Sequence, residues 1–207
     1  FGAMRCSVKI LITDTYVEPH VRQAFYDSSF AFPAAQLEGC IGGPDSRIRP
    51  QGPAGMRFAF RSASLGAPEW FLDAPNGGNG TEPWTQEEKD AVQVCVATYK
   101  TQIRPLIRAA DLYHILPRPD GRNWDGIEYY DPAAGKGAVY LFKPSGAVAA
   151  QKLRFKGLDA KQSYRVSFAD GTAPPSVQSG AANMDPGLPV TLAGDEVAEL
   201  VFFELMR

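Results

Sequence analysis

The pattern of apolar and polar positions changes its period near the middle of the chain. At the start, an apolar run from Val8 to Ile12 is bounded by polar residues, which is typical of a parallel strand that is covered on both faces. A helix is predicted next, with Glu18 and Pro19 in its first turn and apolar residues at helical spacing. Asp14 therefore follows the carboxyl end of a predicted parallel strand, the edge at which α/β proteins carry catalytic groups.

Two further segments are predicted before the change of period. Met56, Phe58 and Phe60 alternate with more polar neighbours, a pattern that predicts a half-exposed strand. After Leu65, residues 66–80 are rich in glycine and are predicted to form a loop. Thr85 then opens a capping box, TQEE, for a helix that should run to about Arg104, where Pro105 kinks or ends it.

From Asp111 onward the chain consists of short apolar segments separated by Gly-, Pro- and Asp-rich turns. This pattern is typical of an antiparallel β-sandwich. We place the domain boundary near Ala110. The predicted strands are 112–116, 126–130, 138–142, 150–155, 164–168, 190–192 and 198–205.

Composition and charge exclude several classes of function. The 207 residues carry a formal net charge of −2 and a pI near 5.7, so neither a nucleic acid nor a membrane is expected as a partner. Neither His20 nor His114 lies in a ligand pattern, so no metal or other cofactor is predicted. The start of the chain lacks the pattern of a signal peptide.

The three cysteines are Cys6, Cys40 and Cys95, at spacings that suit neither a metal site nor a redox motif. Free thiols in a reducing compartment are the interpretation we follow, which predicts a cytoplasmic protein. A bridge between Cys6 and Cys40 is left open. Because the first predicted strand has no earlier strand to pair with, we expect the chain to be the C-terminal part of a larger protein.

From its position alone, Asp14 has two interpretations: it caps the following helix, or it takes part in catalysis. The segment resembles the acid/base segment of the family-36 glycoside hydrolases, the α-galactosidases of clan D. In those enzymes a barrel strand ends in Ser-Asp, and a Tyr-x-x-Ser stretch and a Tyr-Pro or Phe-Pro pair follow. Here the corresponding residues are Thr13-Asp14, Tyr26-Asp27-Ser28-Ser29 and Phe32-Pro33.

The resemblance continues along most of the chain in the same order. The last barrel helix of the family carries Tyr-Lys and Arg-Pro-Leu, matched by Tyr99-Lys100 and Arg104-Pro105-Leu106. The terminal β-domain of clan D is matched by Lys156-Gly157-Leu158-Asp159, Tyr164, Ser179-Gly180, Met184 and Gly187-Leu188. The family often has a second Asp three residues after the first, where this chain has Val17.

The resemblance implies a fold and an activity. Residues 1–110 would be the last β/α units of a (β/α)8 barrel, and residues 111–207 an antiparallel β-sandwich. The activity would be that of a retaining α-galactosidase-like hydrolase acting on α-galactoside oligosaccharides, with Asp14 as the general acid/base. The family's nucleophile lies in an earlier Lys-x-Asp motif, which does not precede Asp14 here, so the chain is expected to be incomplete and inactive by itself.

Other candidate residues each have an ordinary structural interpretation. Trp70, Phe71 and Trp84 either stack on a sugar or pack a long loop. The segment WDGIEYYD, 124–131, is better explained as a packed face of a strand than as a second site. The carboxylates of Glu18, Asp27 and Glu38 are expected on helix surfaces or in caps.

Two other functions remain open at this point. The chain could be a non-catalytic carbohydrate-binding or interaction module in which the sandwich carries the function. A weaker alternative is a structural oligomerisation domain, and a homo-oligomer is left open in either case.

Overall fold

The computed structural model describes residues 9–13, 18–41, 52–70 and 84–206. It divides into two compact units, Phe1–Arg104 and Pro105–Arg207. The first contains a parallel sheet and helices, whereas the sheets of the second are antiparallel. The protein is therefore of mixed α and β type, with mostly antiparallel sheets.

In the first unit, strands and helices alternate along the chain. Three strands, β1 (Ile10–Leu11), β2 (Leu37–Ile41) and β3 (Ala67–Trp70), pair in the order β1-β2-β3, and both pairings are parallel. Successive β/α units whose strands lie side by side in chain order are typical of (β/α) barrels and of halves of open α/β sheets. The elements are β1 (Ile10–Leu11), α1 (Glu18–Ser28), a 3-10 turn (Ala34–Gln36), β2 (Leu37–Ile41), α2 (Gly52–Ala63), β3 (Ala67–Trp70) and α3 (Gln86–Thr98).

Strand β2 is packed tightly against helix α2. Leu37 is fully buried, and a Cβ atom at Gly39 would lie 2.6 Å from the backbone oxygen of Ala63 at the end of α2. Only glycine leaves room for that approach. Because side chains alternate along a strand, Leu37 and Gly39 mark the face of the sheet that is covered by helices.

The predicted strand at Met56–Phe60 is wrong, because these residues lie in helix α2. Met56 and Phe60 are also four residues apart, so both face the same side of a helix, where they are buried together with Val92 of α3. Arg22 of α1 is buried against the same helix; its Nη1 donates to Ser62 Oγ at 2.7 Å, and its guanidinium lies over the Phe58 ring. A short alternation of apolar residues such as Met56, Phe58 and Phe60 therefore fits a helix as well as a strand.

The predicted loop 66–80 is wrong in its first part, since Ala67–Trp70 forms β3. The second parallel strand, β2, was not predicted at all. Both strands are short, at five and four residues, and each contains a glutamate, so neither shows the continuous apolar run expected of a buried strand.

The predicted capping box at Thr85 is confirmed. The backbone N–H of Glu88 donates to Thr85 Oγ1 at 3.2 Å, and the backbone N–H of Thr85 donates to Glu88 Oε2 at 2.9 Å. The other oxygen of Glu88 accepts from the backbone N–H of Gly52 at 3.1 Å, so the same carboxylate joins the start of α2 to the start of α3. Helix α3 continues through a π-helical turn, Tyr99–Ile103, into α4 (Arg104–Ala109).

The second unit contains a six-stranded sheet in the order β4-β5-β6-β11-β8-β9 and a two-stranded sheet of β7 and β10. One apolar core includes residues of both sheets, among them Val139, Val201 and Phe203 of the larger sheet and Leu153 of the smaller one. The elements are β4 (Asp111–His114), β5 (Asp125–Asp131), β6 (Lys136–Lys143), β7 (Ala150–Leu153), β8 (Ser163–Phe168), β9 (Ser176–Ser179), α5 (Gly180–Ala182), a π-helical turn (Asn183–Gly187), β10 (Leu188–Thr191) and β11 (Val197–Leu205).

All seven strands predicted in this part exist, with bounds that differ by a few residues. The edge strand β9 was missed; Val177, its one large apolar residue, is 57% exposed. The assignment of this part to a β-sandwich domain and of the first part to a barrel stays a prediction, as does the boundary near Ala110.

Candidate functional site

The carboxyl ends of β1, β2 and β3 lie along one edge of the parallel sheet, because parallel strands run in the same direction. β1 ends at Leu11, and the described chain resumes at Glu18, the first residue of α1. Asp14, the predicted acid/base, falls between them and lies outside the described residues. Its proposed role therefore rests on the sequence and on the position of β1.

Helix α1 is the element that follows Asp14, and it forms as the sequence predicts. It begins with Glu18 and Pro19, which suit a first turn. Its buried face consists of Val21, Arg22 and Phe25. The apolar members of this face were predicted, whereas the burial of Arg22 was not, because an arginine is ordinarily expected at the surface.

A cluster of ionisable side chains lies on the face of the sheet opposite the helices. Leu11 pairs with Glu38 and Cys40 pairs with Glu69 in the register of the strands. Lys9 Nζ lies 3.4 Å from Glu38 Oε1, and Cys40 Sγ is 3.7 Å from Glu69 Oε2. We call Lys9, Glu38, Cys40 and Glu69 the acidic sheet cluster.

The prediction that Glu38 is a helix-surface or capping group is wrong, because Glu38 lies in β2 and is buried. Burial raises the pKa of its carboxyl group, and the hydrogen bond with the Glu69 side chain raises it further, while Lys9 acts in the opposite direction. Glu38 therefore lies between a second carboxyl group, that of Glu69, and the ammonium group of Lys9.

Cys40 is a buried free thiol at the same cluster. Burial, followed by the negative charges of Glu69 and Glu38, raises the pKa of the thiol to about 11. Since the thiolate is the reactive form, this cysteine is unsuited to nucleophilic catalysis at neutral pH. The bridge from Cys6 to Cys40 is not formed in the described structure, although Cys6 itself lies outside the described residues.

The described residues offer no metal centre and no span of a bilayer. Among them, no three His, Cys, Asp or Glu side chains are arranged to hold a metal ion. Within the same ranges, every helix is too short or too polar to cross a membrane.

Those aromatic candidates whose side chains the structure describes are packed in or against apolar cores. Trp84 lies edge-on to Phe60 with ring centroids 6.4 Å apart, beside the apolar cluster of α2 and α3, which supports the loop-packing interpretation for Trp84. Phe71 and the side chain of Trp70 lie outside the described residues. In the second unit, Trp124 and Tyr130 are buried in the core and present no stacking surface to a sugar.

The segment 124–131 packs more completely than the sequence suggested. Ile127 and Tyr129 face one side of β5, Glu128 and Tyr130 face the other, and all four are buried. The packed interpretation of this strand is therefore confirmed. Glu128 differs from the other three residues, because its carboxyl group lies in an apolar core.

The sequence matches no protein-family model and no curated protein. Solved structures do resemble it. The galactosidase domain of the alpha-galactosidase-sucrose kinase AgaSK has a TM-score of 0.79 and 17% identity, with 99% of this chain and 27% of that one covered. The GH36 alpha-galactosidase AgaB from Geobacillus stearothermophilus has a TM-score of 0.70 and 20% identity, with 94% of this chain and 25% of that one covered.

A third neighbour agrees with these two. The alpha-galactosidase from Lactobacillus brevis has a TM-score of 0.72 and 18% identity, with 94% of this chain and 26% of that one covered. This chain has the fold of the C-terminal part of a family-36 α-galactosidase. The resemblance seen in the sequence is thereby confirmed at the level of the fold, and the chain spans about a quarter of the length of these neighbours.

Proposed function

We propose that this chain is the C-terminal portion of a retaining α-galactosidase-like glycoside hydrolase. In this proposal β1, β2 and β3 are the last three strands of a (β/α)8 barrel, and residues 111–207 are a β-sandwich domain. The observation that carries it is the parallel order β1-β2-β3 with a helix after each strand, in a chain matched over 94–99% of its length by α-galactosidase structures.

Asp14 is the proposed general acid/base. It comes three residues after the end of β1, and catalytic groups of (β/α) barrels follow the carboxyl ends of the strands. Its carboxylic acid would protonate the glycosidic oxygen as the bond to the anomeric carbon breaks. In the second step its carboxylate would take a proton from the water that hydrolyses the glycosyl-enzyme intermediate.

The nucleophile is proposed to lie outside these residues. A retaining glycosidase needs a second carboxylate about 5–5.5 Å from the first. The described carboxylates nearest in the sheet, Glu38 and Glu69, occupy the middle of strands and hydrogen-bond to each other. Catalytic groups of (β/α) barrels follow the carboxyl ends of the strands, so neither glutamate has the position that the nucleophile needs.

The acidic sheet cluster suits the interior of a closed barrel. The face opposite the helices is the face that barrel closure would bury. Charged groups on such a face need partners of opposite charge, and Glu38 has one in Lys9, whose Nζ lies 3.4 Å from Glu38 Oε1.

The proposed substrates are α-galactoside oligosaccharides. Two structures among the neighbours are alpha-galactosidase AgaA variants in complex with raffinose and with stachyose. Because Asp14 would act on the leaving oxygen, its role does not depend on which sugar leaves.

The test compares the 207-residue chain with the longest polypeptide that its gene encodes. Both are incubated with an aryl α-galactoside and with raffinose, and release of aglycone and of galactose is measured. Hydrolysis by the longer polypeptide and none by the chain alone is the expected result. Hydrolysis by the chain alone would place a nucleophile within it, and inactivity of both on all α-galactosides would refute the proposed activity.

A further inference from the structure

The core of the second unit contains a carboxyl group that is only partly hydrogen-bonded. Glu128 of β5 is 0% exposed, and its Oε2 accepts from the backbone N–H of Lys156 at 2.9 Å. Its Oε1 is buried and has no hydrogen-bond partner among the described residues. The residues opposite it in the sheet are Tyr113 of β4 and Val139 of β6.

A second group with this property lies beside the same segment. Asn183 is 1% exposed, and neither Nδ2 nor Oδ1 of its amide has a partner within the described chain. Its backbone oxygen accepts from the backbone N–H of Phe155 at 3.2 Å. Glu128 and Asn183 thus bind two consecutive backbone N–H groups, those of Lys156 and Phe155, and each retains polar side-chain atoms that no described residue pairs.

Buried polar atoms in folded proteins are almost always hydrogen-bonded, to the protein or to ordered water. Internal water occurs at about one molecule per 27 residues, bound to otherwise unsatisfied buried groups. A unit of the size of Pro105–Arg207 is therefore expected to hold on the order of four such molecules.

The chemistry of the two groups favours water over an ion. Burial raises the pKa of Glu128 to about 8, against the opposing effects of the Lys156 backbone N–H and the Lys156 charge, so the carboxyl group is mostly protonated at neutral pH. The Asn183 amide is neutral and offers both a donor and an acceptor. A protonated carboxyl and an amide suit a neutral molecule that donates and accepts, whereas a cation requires anionic oxygen ligands.

We propose that Glu128 Oε1 and the Asn183 amide each bind an internal water molecule, beside the two direct hydrogen bonds that join the segment Phe155–Lys156 to β5 and to the turn Asn183–Gly187. The segment lies at the end of β7, so the two sites support the attachment of the smaller sheet. This inference is independent of the proposed enzymatic activity.

A high-resolution crystal structure of the 207-residue chain tests the proposal directly. The expected result is ordered water about 2.7–3.2 Å from Glu128 Oε1 and from an atom of the Asn183 amide. Direct protein partners for these atoms, or sites without water, would overturn it.

Magnetic relaxation dispersion of ¹⁷O-labelled water gives an independent count of long-lived internal waters in solution. The variant Asn183→Leu removes both polar atoms of the amide but breaks no hydrogen bond between protein side chains; a fall in the count by one is expected. Met184→Leu is the matched control in the same turn and should leave the count unchanged. Glu128→Gln should also keep its water, because the Gln side chain retains a polar atom at the position of Oε1.

Equal counts in Asn183→Leu and the unchanged chain would show that Asn183 holds no water. If Asn183→Leu does not fold, the crystal structure of the unchanged chain still decides between the two outcomes.

Discussion

The parallel sheet of the first unit and the large antiparallel sheet of the second carry their buried carboxyl groups in different ways. In the first unit, ionisable side chains lie together on one face of a parallel sheet, where Glu38 contacts Lys9 and hydrogen-bonds to Glu69. In the second unit, the buried carboxyl groups of Glu128 and Glu199 lie on separate strands, and backbone N–H groups of neighbouring segments donate to each.

The difference lies in what each carboxyl group contacts. Glu199 accepts from the backbone N–H groups of Asp170 and Leu200 and from the Thr172 hydroxyl, so it holds the turn between β8 and β9. The acidic sheet cluster instead joins side chains to one another, since Glu38 contacts Lys9 and Glu69 contacts Cys40 across the parallel strands. Single carboxyl groups that bind backbone N–H groups attach loops to a sheet.

The largest expected effect concerns Glu128 and pH. Its pKa is raised from 4.5 to about 8 in the folded state, so the folded chain binds more protons than the unfolded chain between these values. The free energy of unfolding should therefore fall as the pH rises from about 5 to about 8, with a limiting slope of ~1.4 kcal/mol per pH unit from this group. Urea denaturation at several pH values measures this free energy of unfolding, and hydrogen exchange of the β5 and β6 amides provides a second measurement.

The variant Glu128→Gln cannot ionise and should lose this slope, while Glu204→Gln, at an exposed position of β11, should keep it. The same pH dependence in Glu128→Gln and in the unchanged chain would show that Glu128 is not the titrating group.

The second prediction concerns packing in the first unit. Gly39→Ala places a Cβ atom 2.6 Å from the Ala63 backbone oxygen, and overpacking of this kind costs about 1–3 kcal/mol. Hydrogen-exchange protection of β2 and α2 should fall. Gly171→Ala is the control, since a Cβ atom there meets nothing within 4 Å; although its positive φ is strained, it should leave β2 and α2 protected. Unchanged protection in Gly39→Ala would mean that α2 can move away from β2.

A smaller effect is expected at the start of α3. Thr85→Ala removes one capping bond and should cost about 1 kcal/mol. Glu88→Ala should cost more, because the backbone N–H groups of both Thr85 and Gly52 lose their acceptor. Glu87→Ala, at the exposed neighbouring position, should change the denaturation midpoint little. A cost for Glu88→Ala no greater than for Glu87→Ala would contradict the joint role of Glu88.

The sequence predicted the second unit better than the first for a physical reason. Strands such as β6 and β11 are mostly apolar runs of eight and nine residues that are bounded by turn residues, so local pattern describes them. Strands β2 and β3 are short and parallel, and each contains a glutamate whose side-chain contact, Lys9 for Glu38 and Cys40 for Glu69, is distant in sequence.

The candidate site shows the same limit. Asp14 could be found from a motif at the end of a predicted strand. The pairing of Glu38 with Glu69 could not, because it depends on the register of strands that the sequence did not reveal. For α2, alternation over Met56–Phe60 fits a strand and also one face of a helix, and only packing decides between them.

The most direct test of the central claim is the effect of Asp14→Ala on two kinds of substrate, in the longest polypeptide that contains this chain. Loss of a general acid should slow hydrolysis of raffinose by about 10²–10⁴-fold. The first step on an activated aryl α-galactoside, whose leaving group needs little protonation, should be affected much less, and azide should partly restore its turnover. Asp27→Ala, at an exposed position of α1, is the control and should remain active. Equal losses on both substrates without rescue by azide would show that Asp14 is a structural cap and would contradict the proposed mechanism.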